Sequence, residues 1–120
     1  MKKVLIVDDV ATDRLILKKI FAKYGYFVLE ANSVDTAIVR ALADRPDLVC
    51  MDVVMPDKSG FQGTREFKKH PELAGIPVLI VSSKNRAPDE INAKQSGASG
   101  YVFKPVDEAA LVAKLRELFP

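Results

Sequence analysis

An apolar run that ends in an acid is the feature of this chain that most restricts its fold. Leu48 to Met51 are consecutive apolar residues, and Asp52 follows them directly. A continuous apolar run of this length is typical of a strand that is buried on both faces, as the central strands of parallel sheets are. We therefore predict that Asp52 lies at the carboxyl end of a central strand, where open α/β sheets bind their ligands.

Short apolar runs alternate with helical patterns along the chain. We predict strands at 4–7, 26–30, 48–51, 77–81 and 101–103, and helices at 12–24, 34–44, 61–69, 85–96 and after Asp107. This alternation predicts one doubly wound (βα)5 domain over residues 1–120, an α/β fold of the flavodoxin-like class with a parallel five-stranded sheet. Right-handed crossovers favour the strand order 2-1-3-4-5. We expect the helix at 85–96 to be weakly held, because few of its side chains are apolar.

Composition and charge narrow the range of functions. The 120 residues are 48% hydrophobic and 28% charged, which is ordinary for a soluble globular protein. The formal net charge of +2 is too small to indicate direct nucleic-acid binding, which needs basic residues clustered on one face. Cys50 is the only cysteine, so a disulfide framework is excluded. No apolar run approaches the ~18 residues of a membrane helix, and we expect a cytoplasmic protein without membrane insertion.

Polar side chains follow four of the predicted strands. Asp8 and Asp9 come after the first strand, and Asp52 comes after the third. Ser82 follows the fourth strand and Lys104 follows the fifth. Because the carboxyl ends of parallel strands meet at one edge of a sheet, we expect these side chains to lie close together. Neighbouring carboxylates repel one another unless a cation lies among them, and a few oxygen ligands completed by water favour Mg²⁺ over Ca²⁺.

The predicted cluster has the chemistry of a phosphoryl-acceptor site. An aspartate carboxylate can act as the nucleophile that accepts a phosphoryl group. A bound Mg²⁺ and a lysine ammonium are both suited to hold phosphoryl oxygens. A serine hydroxyl can donate a hydrogen bond to the same oxygens. The residues therefore predict a phosphorylated Asp52 with Mg²⁺, Lys104 and Ser82 around it.

The order and spacing of these residues resemble the receiver domains of two-component response regulators, in particular the single-domain, CheY-like chemotaxis type. The matching residues are Asp8 and Asp9, Asp52, Met55 and Pro56, Gly60, Ser82, and Lys104 with Pro105. The resemblance covers the whole chain. It implies phosphorelay signal transduction, in which a partner histidine kinase phosphorylates Asp52.

The same resemblance implies a role for each site residue. Asp9, Asp52 and the backbone carbonyl of Val54 would bind Mg²⁺ directly, and Asp8 would act partly through water. In addition, Lys104 would pair with the phosphoryl group, Ser82 would be the switch hydroxyl, Tyr101 would be the aromatic side chain that rotates, and the Lys104–Pro105 bond would be cis. An output protein would bind the surface formed by the fourth helix, the fifth strand and the fifth helix, and the chain would be a monomer.

Three sequence details depart from the common pattern or refine it. Ser82 replaces the commoner threonine and keeps the hydroxyl. Val54 is apolar at a position where many relatives carry a polar side chain, which would alter how water approaches the phosphoryl group. The segments at 60–65 and 104–108 resemble regulators of twitching pili. We therefore expect signalling of the chemotaxis or motility type.

Two other functions fit the same sheet. A Mg²⁺-dependent phosphohydrolase with an aspartate nucleophile generally carries a second acid two residues after the nucleophile, and here that position is Val54. A phosphorylation-independent interaction module would have no need of the intact acceptor, acids and lysine. We therefore predict a phosphoacceptor switch that assists its own phosphorylation and dephosphorylation, rather than an enzyme.

Overall fold

The computed structural model describes residues 1–120, in which strands and helices alternate. The elements are β1 (Lys3–Val7), α1 (Ala11–Lys23), β2 (Phe27–Ala31), α2 (Val34–Asp44), β3 (Leu48–Met51), α3 (Gly60–Lys69), β4 (Val78–Ser82), α4 (Ala87–Ser96), β5 (Gly100–Phe103) and α5 (Glu108–Leu118). The strands form one parallel sheet in the order β2-β1-β3-β4-β5. The predicted doubly wound fold and its strand order are confirmed. None of the helices combines the length and the apolar composition needed to cross a membrane.

The two apolar faces of the sheet are each covered by helices. Helices α2, α3 and α4 pack on one face, and α1 and α5 pack on the other. Every residue of β3 and β4 is buried, which explains why these strands are continuous apolar runs. Strands β2 and β5 lie at the two edges of the sheet and are only partly buried.

Local capping interactions set where the helices begin. The Ser33 hydroxyl accepts a hydrogen bond from the Thr36 amide at the start of α2. The Asp107 carboxylate accepts one from the Ala110 amide at the start of α5. In α3 the cap is Ser59, so this helix begins at Gly60, one residue before its predicted start. Such caps satisfy amide groups that have no partner within the helix.

Two glycines of α3 allow this helix to lie against the end of β3. A Cβ atom at Gly60 would come within 2.0 Å of the Asp52 carbonyl oxygen. A Cβ atom at Gly63 would come within 2.7 Å of both the Met51 sulfur and a Val34 methyl group. The missing side chain of Gly63 therefore lets α3 approach the strand that precedes Asp52.

Helix α4 has little buried surface. Its only buried residues are Ala93 and Ser96, and the apolar side chain of Ile91 is exposed. Gly97 ends the helix in a left-handed conformation. Few buried apolar contacts are a mark of elements that open locally at low free-energy cost, in agreement with the expectation from the sequence.

Candidate functional site

The ends of β1 and β3 place the predicted acids side by side. Val7 is paired with Met51 in the parallel ladder, so Asp8 and Asp52 follow at the same level of the sheet. Asp8, Asp9 and Asp52 each offer a carboxylate oxygen, and these oxygens lie within 4.8 Å of one another. Asp8 is 1% exposed and Asp52 is 7% exposed, whereas Asp9 is exposed to solvent. The acids therefore form a half-buried cluster with one member open to solvent.

Lys104 brings a positive charge into this acidic cluster. It follows β5, and its ammonium nitrogen lies 2.7 Å from Asp8 Oδ2 and 2.8 Å from Asp13 Oδ2. The distance from the same nitrogen to Asp52 Oδ1 is 3.6 Å. Lys104 therefore makes two short, charge-assisted hydrogen bonds and a longer contact with the acid at the end of β3.

Backbone contacts hold the two buried acids in place. The Asp8 Oδ1 atom accepts a hydrogen bond from the Val10 amide at 2.9 Å, and the Asp8 carbonyl accepts one from the Arg14 guanidinium. The Asp52 amide donates to the Val7 carbonyl at 2.9 Å, which extends the ladder between β1 and β3 by one bond. The Asp8 carboxylate is therefore held at the start of α1, and the backbone of Asp52 is held by the sheet.

Burial and charge act against each other on the ionisation of the site. Burial raises the pKa of Asp52, the ammonium of Lys104 lowers it, the carboxylate of Asp8 raises it, and the net pKa is above the ordinary value. Burial lowers the pKa of Lys104, but the hydrogen bonds to Asp13 and Asp8 and the charge of Asp52 outweigh burial and raise it overall. Lys104 is therefore a cation throughout the neutral range.

Ser82 and Tyr101 both contact the backbone of Lys84, in the loop after β4. The Ser82 hydroxyl is completely buried and accepts a hydrogen bond from the Lys84 amide at 3.3 Å. The Tyr101 hydroxyl donates a hydrogen bond to the Lys84 carbonyl at 2.6 Å. Burial raises the pKa of Tyr101, and the neighbouring Ser82 hydroxyl opposes this rise. Neither side chain donates a hydrogen bond to Asp52 in this structure, although both belong to the same corner of the sheet.

Val54 lies at the rim of a cleft that opens beside Asp52. Its side chain is 57% exposed, and the cleft has a volume of about 540 Å³. The lining residues are Asp9, Val10, Asp13, Ile16, Leu17, Asp52, Val54, Ser83, Lys104, Pro105 and Val106. The Lys104–Pro105 peptide bond is cis. The cleft thus combines an acidic floor with an apolar rim.

The donor set of the cluster fits a hard divalent cation. Asp8, Asp9 and Asp52 supply carboxylate oxygens, and no cysteine or histidine belongs to the group. The Val54 carbonyl accepts no hydrogen bond from the protein, and Val54 lines the same cleft as Asp52. Oxygen donors of this number, completed by water, are typical of Mg²⁺ sites in proteins.

One acid beside the cluster was not identified from the sequence. Asp13 lies four residues after Asp9, in the first turn of α1, and contacts the Lys104 ammonium. Asp9 precedes the helix, so the only available signal was an acid in the first turn of the helix that follows β1. An acid in the first turn of a helix is also a common dipole partner, which makes the signal unspecific.

Comparison with known proteins places the chain in a family. It matches the response regulator receiver domain over residues 4–116. It is 41% identical over 112 residues to Protein PilH of Pseudomonas aeruginosa, a match that covers 93% of each chain. It is also 38% identical over 117 residues to Response regulator PleD of Caulobacter vibrioides, a match that covers 97% of this chain and 26% of PleD.

A solved structure agrees with these sequence matches. The chemotaxis protein CheY4 of Vibrio cholerae superposes with a TM-score of 0.92 at 27% identity, over 99% of both chains. The resemblance to receiver domains that the sequence indicated is thus confirmed. The chain belongs to the response regulator receiver domain family.

Proposed function

We propose that Asp52 accepts a phosphoryl group from a histidine kinase and that this modification controls binding of an output protein. Receiver domains interact with histidine kinases and with downstream effectors, so the classes of partner follow from the family. The observation that carries the proposal is the position of the Asp52 carboxylate. It lies at the end of central strand β3, 3.6 Å from the Lys104 ammonium and beside the carboxylates of Asp8 and Asp9.

The site residues divide the transfer chemistry between them. An oxygen of Asp52 forms the new bond to phosphorus as the phosphorus–nitrogen bond of phosphohistidine breaks. Lys104 places a positive charge beside the phosphoryl oxygens and stabilises their negative charge in the transition state. Asp8, Asp9, Asp52 and the Val54 carbonyl would hold Mg²⁺, which when bound neutralises charge on the phosphoryl oxygens. The raised pKa of Asp52 favours protonation, which the positive charge of Lys104 opposes, so the ammonium helps to keep the nucleophile ionised.

The switch follows from the shared contact of Ser82 and Tyr101 with Lys84. A phosphoryl group on Asp52 attracts the Ser82 hydroxyl, whose present role is to accept a hydrogen bond from the Lys84 amide. Movement of Ser82 changes the position of the Lys84 backbone and thereby the hydrogen bond of Tyr101. The loop leads directly into α4, which has few buried side chains. Tyr101 belongs to β5, against which α5 packs, so the proposed output surface consists of α4, β5 and α5.

This surface has exposed apolar side chains for a partner to bury. Ile91 of α4 is 57% exposed and Phe103 of β5 is also exposed. Shifting the populations of the two states of a switch from 1:99 to 99:1 requires a difference of about 5.5 kcal/mol in the free energy with which the two states are stabilised. A single hydrogen bond supplies about 1 kcal/mol, so we infer that partner binding contributes a large share. Signalling of the chemotaxis or motility type, including the twitching-pilus subgroup, is part of the proposal. The match to a chemotaxis protein supports the chemotaxis type.

Labelling with acetyl phosphate in the presence of Mg²⁺ tests the acceptor. Intact mass spectrometry should detect one added phosphoryl group on the wild type and none on Asp52→Asn. Asp47→Asn, which changes an acid at the opposite end of β3, should be labelled as the wild type is. Labelling that persists in Asp52→Asn would contradict the assignment of the acceptor.

The same preparation separates the switch from the two alternatives. Rapid multiple turnovers of a small phosphate ester would indicate a phosphohydrolase, which the apolar Val54 argues against because no second acid stands two residues after Asp52. A wild type that takes no label, with or without Mg²⁺, would indicate an interaction module that works without phosphorylation. We expect slow loss of a single label and a monomer in sedimentation velocity.

A further inference from the structure

Lys104 is shared between the acceptor site and an acid outside it. Two of its three ammonium protons have short partners, namely Asp8 Oδ2 at 2.7 Å and Asp13 Oδ2 at 2.8 Å. The distance of 3.6 Å to Asp52 Oδ1 is beyond that of a hydrogen bond. In the unphosphorylated protein, Lys104 is therefore hydrogen-bonded to Asp8 and Asp13 rather than to the acceptor.

Asp13 has no other side-chain partner. Its carboxylate makes no hydrogen bond or ion pair except the one with Lys104, and it lines the cleft beside Asp52. Its side chain is 35% exposed, whereas that of Lys104 is 15% exposed, so their bond is partly shielded from water. A partly shielded, charge-assisted bond is stronger than an exposed surface pair.

We propose that Asp13 is a positioning residue that holds the Lys104 ammonium away from Asp52 and so disfavours the phosphorylated state. The inference rests on the proposed function of Asp52. For Lys104 to bond a phosphoryl oxygen, it must give up part of its interaction with Asp13 or Asp8. Both acids compete with a phosphoryl oxygen for the Lys104 ammonium. Asp8 belongs to the buried cluster at the sheet and Asp13 does not, so Asp13 can be substituted without removing an acid of the cluster.

Two physical effects of Asp13 act in the same direction. It competes with phosphoryl oxygens for the Lys104 ammonium, and its own negative charge repels the negative charge that phosphorylation adds. Neutralising Asp13 should therefore stabilise the phosphorylated form by both routes. Asp13 thus limits how fully Asp52 is modified at equilibrium.

Beryllofluoride, a phosphoryl mimic, tests the competition at equilibrium. In excess Mg²⁺, fluorine NMR should give Asp13→Asn an affinity about three- to tenfold higher than that of the wild type, the size expected when a charge-assisted hydrogen bond is replaced by a neutral one. Asp13→Ala, which removes the acceptor atoms as well, should increase the affinity further. An affinity equal to or below that of the wild type would overturn the inference.

Asp35→Asn is a matched control for charge and position. Asp35 also lies in the first turn of a helix, and it also bonds a lysine ammonium, that of Lys58, at 2.8 Å. It lies outside the cleft. The beryllofluoride affinity of Asp35→Asn should equal that of the wild type. An increase as large as that of Asp13→Asn would show that any lost negative charge suffices and would overturn the specific role of Asp13.

A second measurement in the free protein separates this inference from the proposed function. Nitrogen NMR of the lysine ammonium groups, without Mg²⁺ or beryllofluoride, should show a shifted resonance and faster proton exchange for Lys104 in Asp13→Asn. The Lys58 resonance should stay unchanged. A wild type that binds no beryllofluoride contradicts the function of Asp52, whereas an unchanged Lys104 resonance in Asp13→Asn overturns the role of Asp13 by itself.

Discussion

Lys104 is the only cation that forms an ion pair with the acids around Asp52. Asp8, Asp13 and Asp52 all lie within 4 Å of its ammonium nitrogen, so the site carries more negative than positive charge. Because two of these acids are buried, the excess charge opposes folding when no metal ion is bound. The free energy of unfolding should therefore respond in opposite directions to removal of the acceptor charge and removal of the ammonium.

Asp52→Asn should stabilise the metal-free protein at neutral pH. The pKa of Asp52 is raised above 3.8, chiefly by burial, so the folded state binds its proton more tightly than the unfolded state. The wild type therefore loses stability as pH rises through the raised pKa, and the asparagine variant does not. We expect the free energy of unfolding to be about 1 kcal/mol higher for the variant at neutral pH, an ordinary size for one substitution. Urea denaturation in EDTA measures the difference.

The pH profile provides the check on that result. The advantage of Asp52→Asn should be constant above the raised pKa and should shrink as pH falls toward 3.8, where the wild-type carboxyl becomes protonated in both states. An advantage that is independent of pH would show that its cause is packing rather than the charge of Asp52.

Lys104→Met should destabilise the metal-free protein. The substitution leaves the buried Asp8 without its ammonium partner, and breaking a buried pair from one side costs about 3 kcal/mol or more, less where the pair is partly exposed as here. We expect a loss of about 1–3 kcal/mol in urea denaturation. The control Lys58→Met removes pairs with Asp35 and Glu66 at the surface and should cost less.

Urea denaturation at alkaline pH tests whether the missing charge of Lys104 causes the loss of stability in Lys104→Met. The pKa of Lys104 is raised above 10.5, so its stabilising contribution is complete below that value and disappears as pH rises through the folded pKa. The difference between the wild type and Lys104→Met should therefore shrink at high pH. A difference that persists unchanged would point to lost packing of the lysine stem.

The central strands of the sheet were predictable because burial on both faces requires a continuous run of apolar residues. β3 and β4 are buried on both faces, and their continuous apolar runs predicted them to within one residue. The apolar face of α1 was less informative. Leu17 and Phe21 are buried, but Ile16 of the same apolar stripe is 50% exposed and lines the cleft. Helical spacing cannot distinguish a side chain of the core from one at the rim of a site.

Gly63→Ala tests how closely α3 must approach β3. Alanine has the higher intrinsic helix propensity, which alone would favour the variant by about 1 kcal/mol. The added Cβ would lie 2.7 Å from the Met51 sulfur and from a Val34 methyl group, and overpacking costs about 1–3 kcal/mol. We expect a net loss of stability and, because Met51 precedes Asp52, slower labelling by acetyl phosphate. Urea denaturation and mass spectrometry measure the two effects.

Gly75→Ala is the matched control for that substitution. A Cβ atom at Gly75 would meet nothing within 4 Å, and its backbone is not left-handed. The free energy of unfolding of Gly75→Ala should equal or slightly exceed that of the wild type, because alanine restricts the conformations of the unfolded chain. If Gly63→Ala proves as stable as Gly75→Ala, close packing of α3 is not what fixes the end of β3.

The assembly of the cluster is a property of the whole molecule, and topology made most of it predictable. Parallel strands bring their carboxyl ends to one edge, so Asp8, Asp52 and Lys104 could be placed together from the order of elements alone. The partnership of Lys104 with Asp13 joins residues that are 91 positions apart. It depends on the rotation of α1 about its axis and on the reach of two side chains, which no periodicity in the sequence specifies.

Magnesium should stabilise the whole fold through the cluster, and Asp9→Asn should reduce that effect selectively. Asp9 is exposed and makes no hydrogen bond or ion pair with the protein, so its substitution should leave the metal-free free energy of unfolding nearly unchanged. A ligand that binds only the folded state adds about 1.4 kcal/mol for each tenfold rise in its concentration above Kd. In urea denaturation, the free energy of unfolding of the wild type should rise with Mg²⁺ concentration at this slope. Asp9→Asn should show the same slope only at higher Mg²⁺ concentration. Equal stability of the wild type in Mg²⁺ and in EDTA would rule out a metal site at the cluster, whatever the chemistry of Asp52.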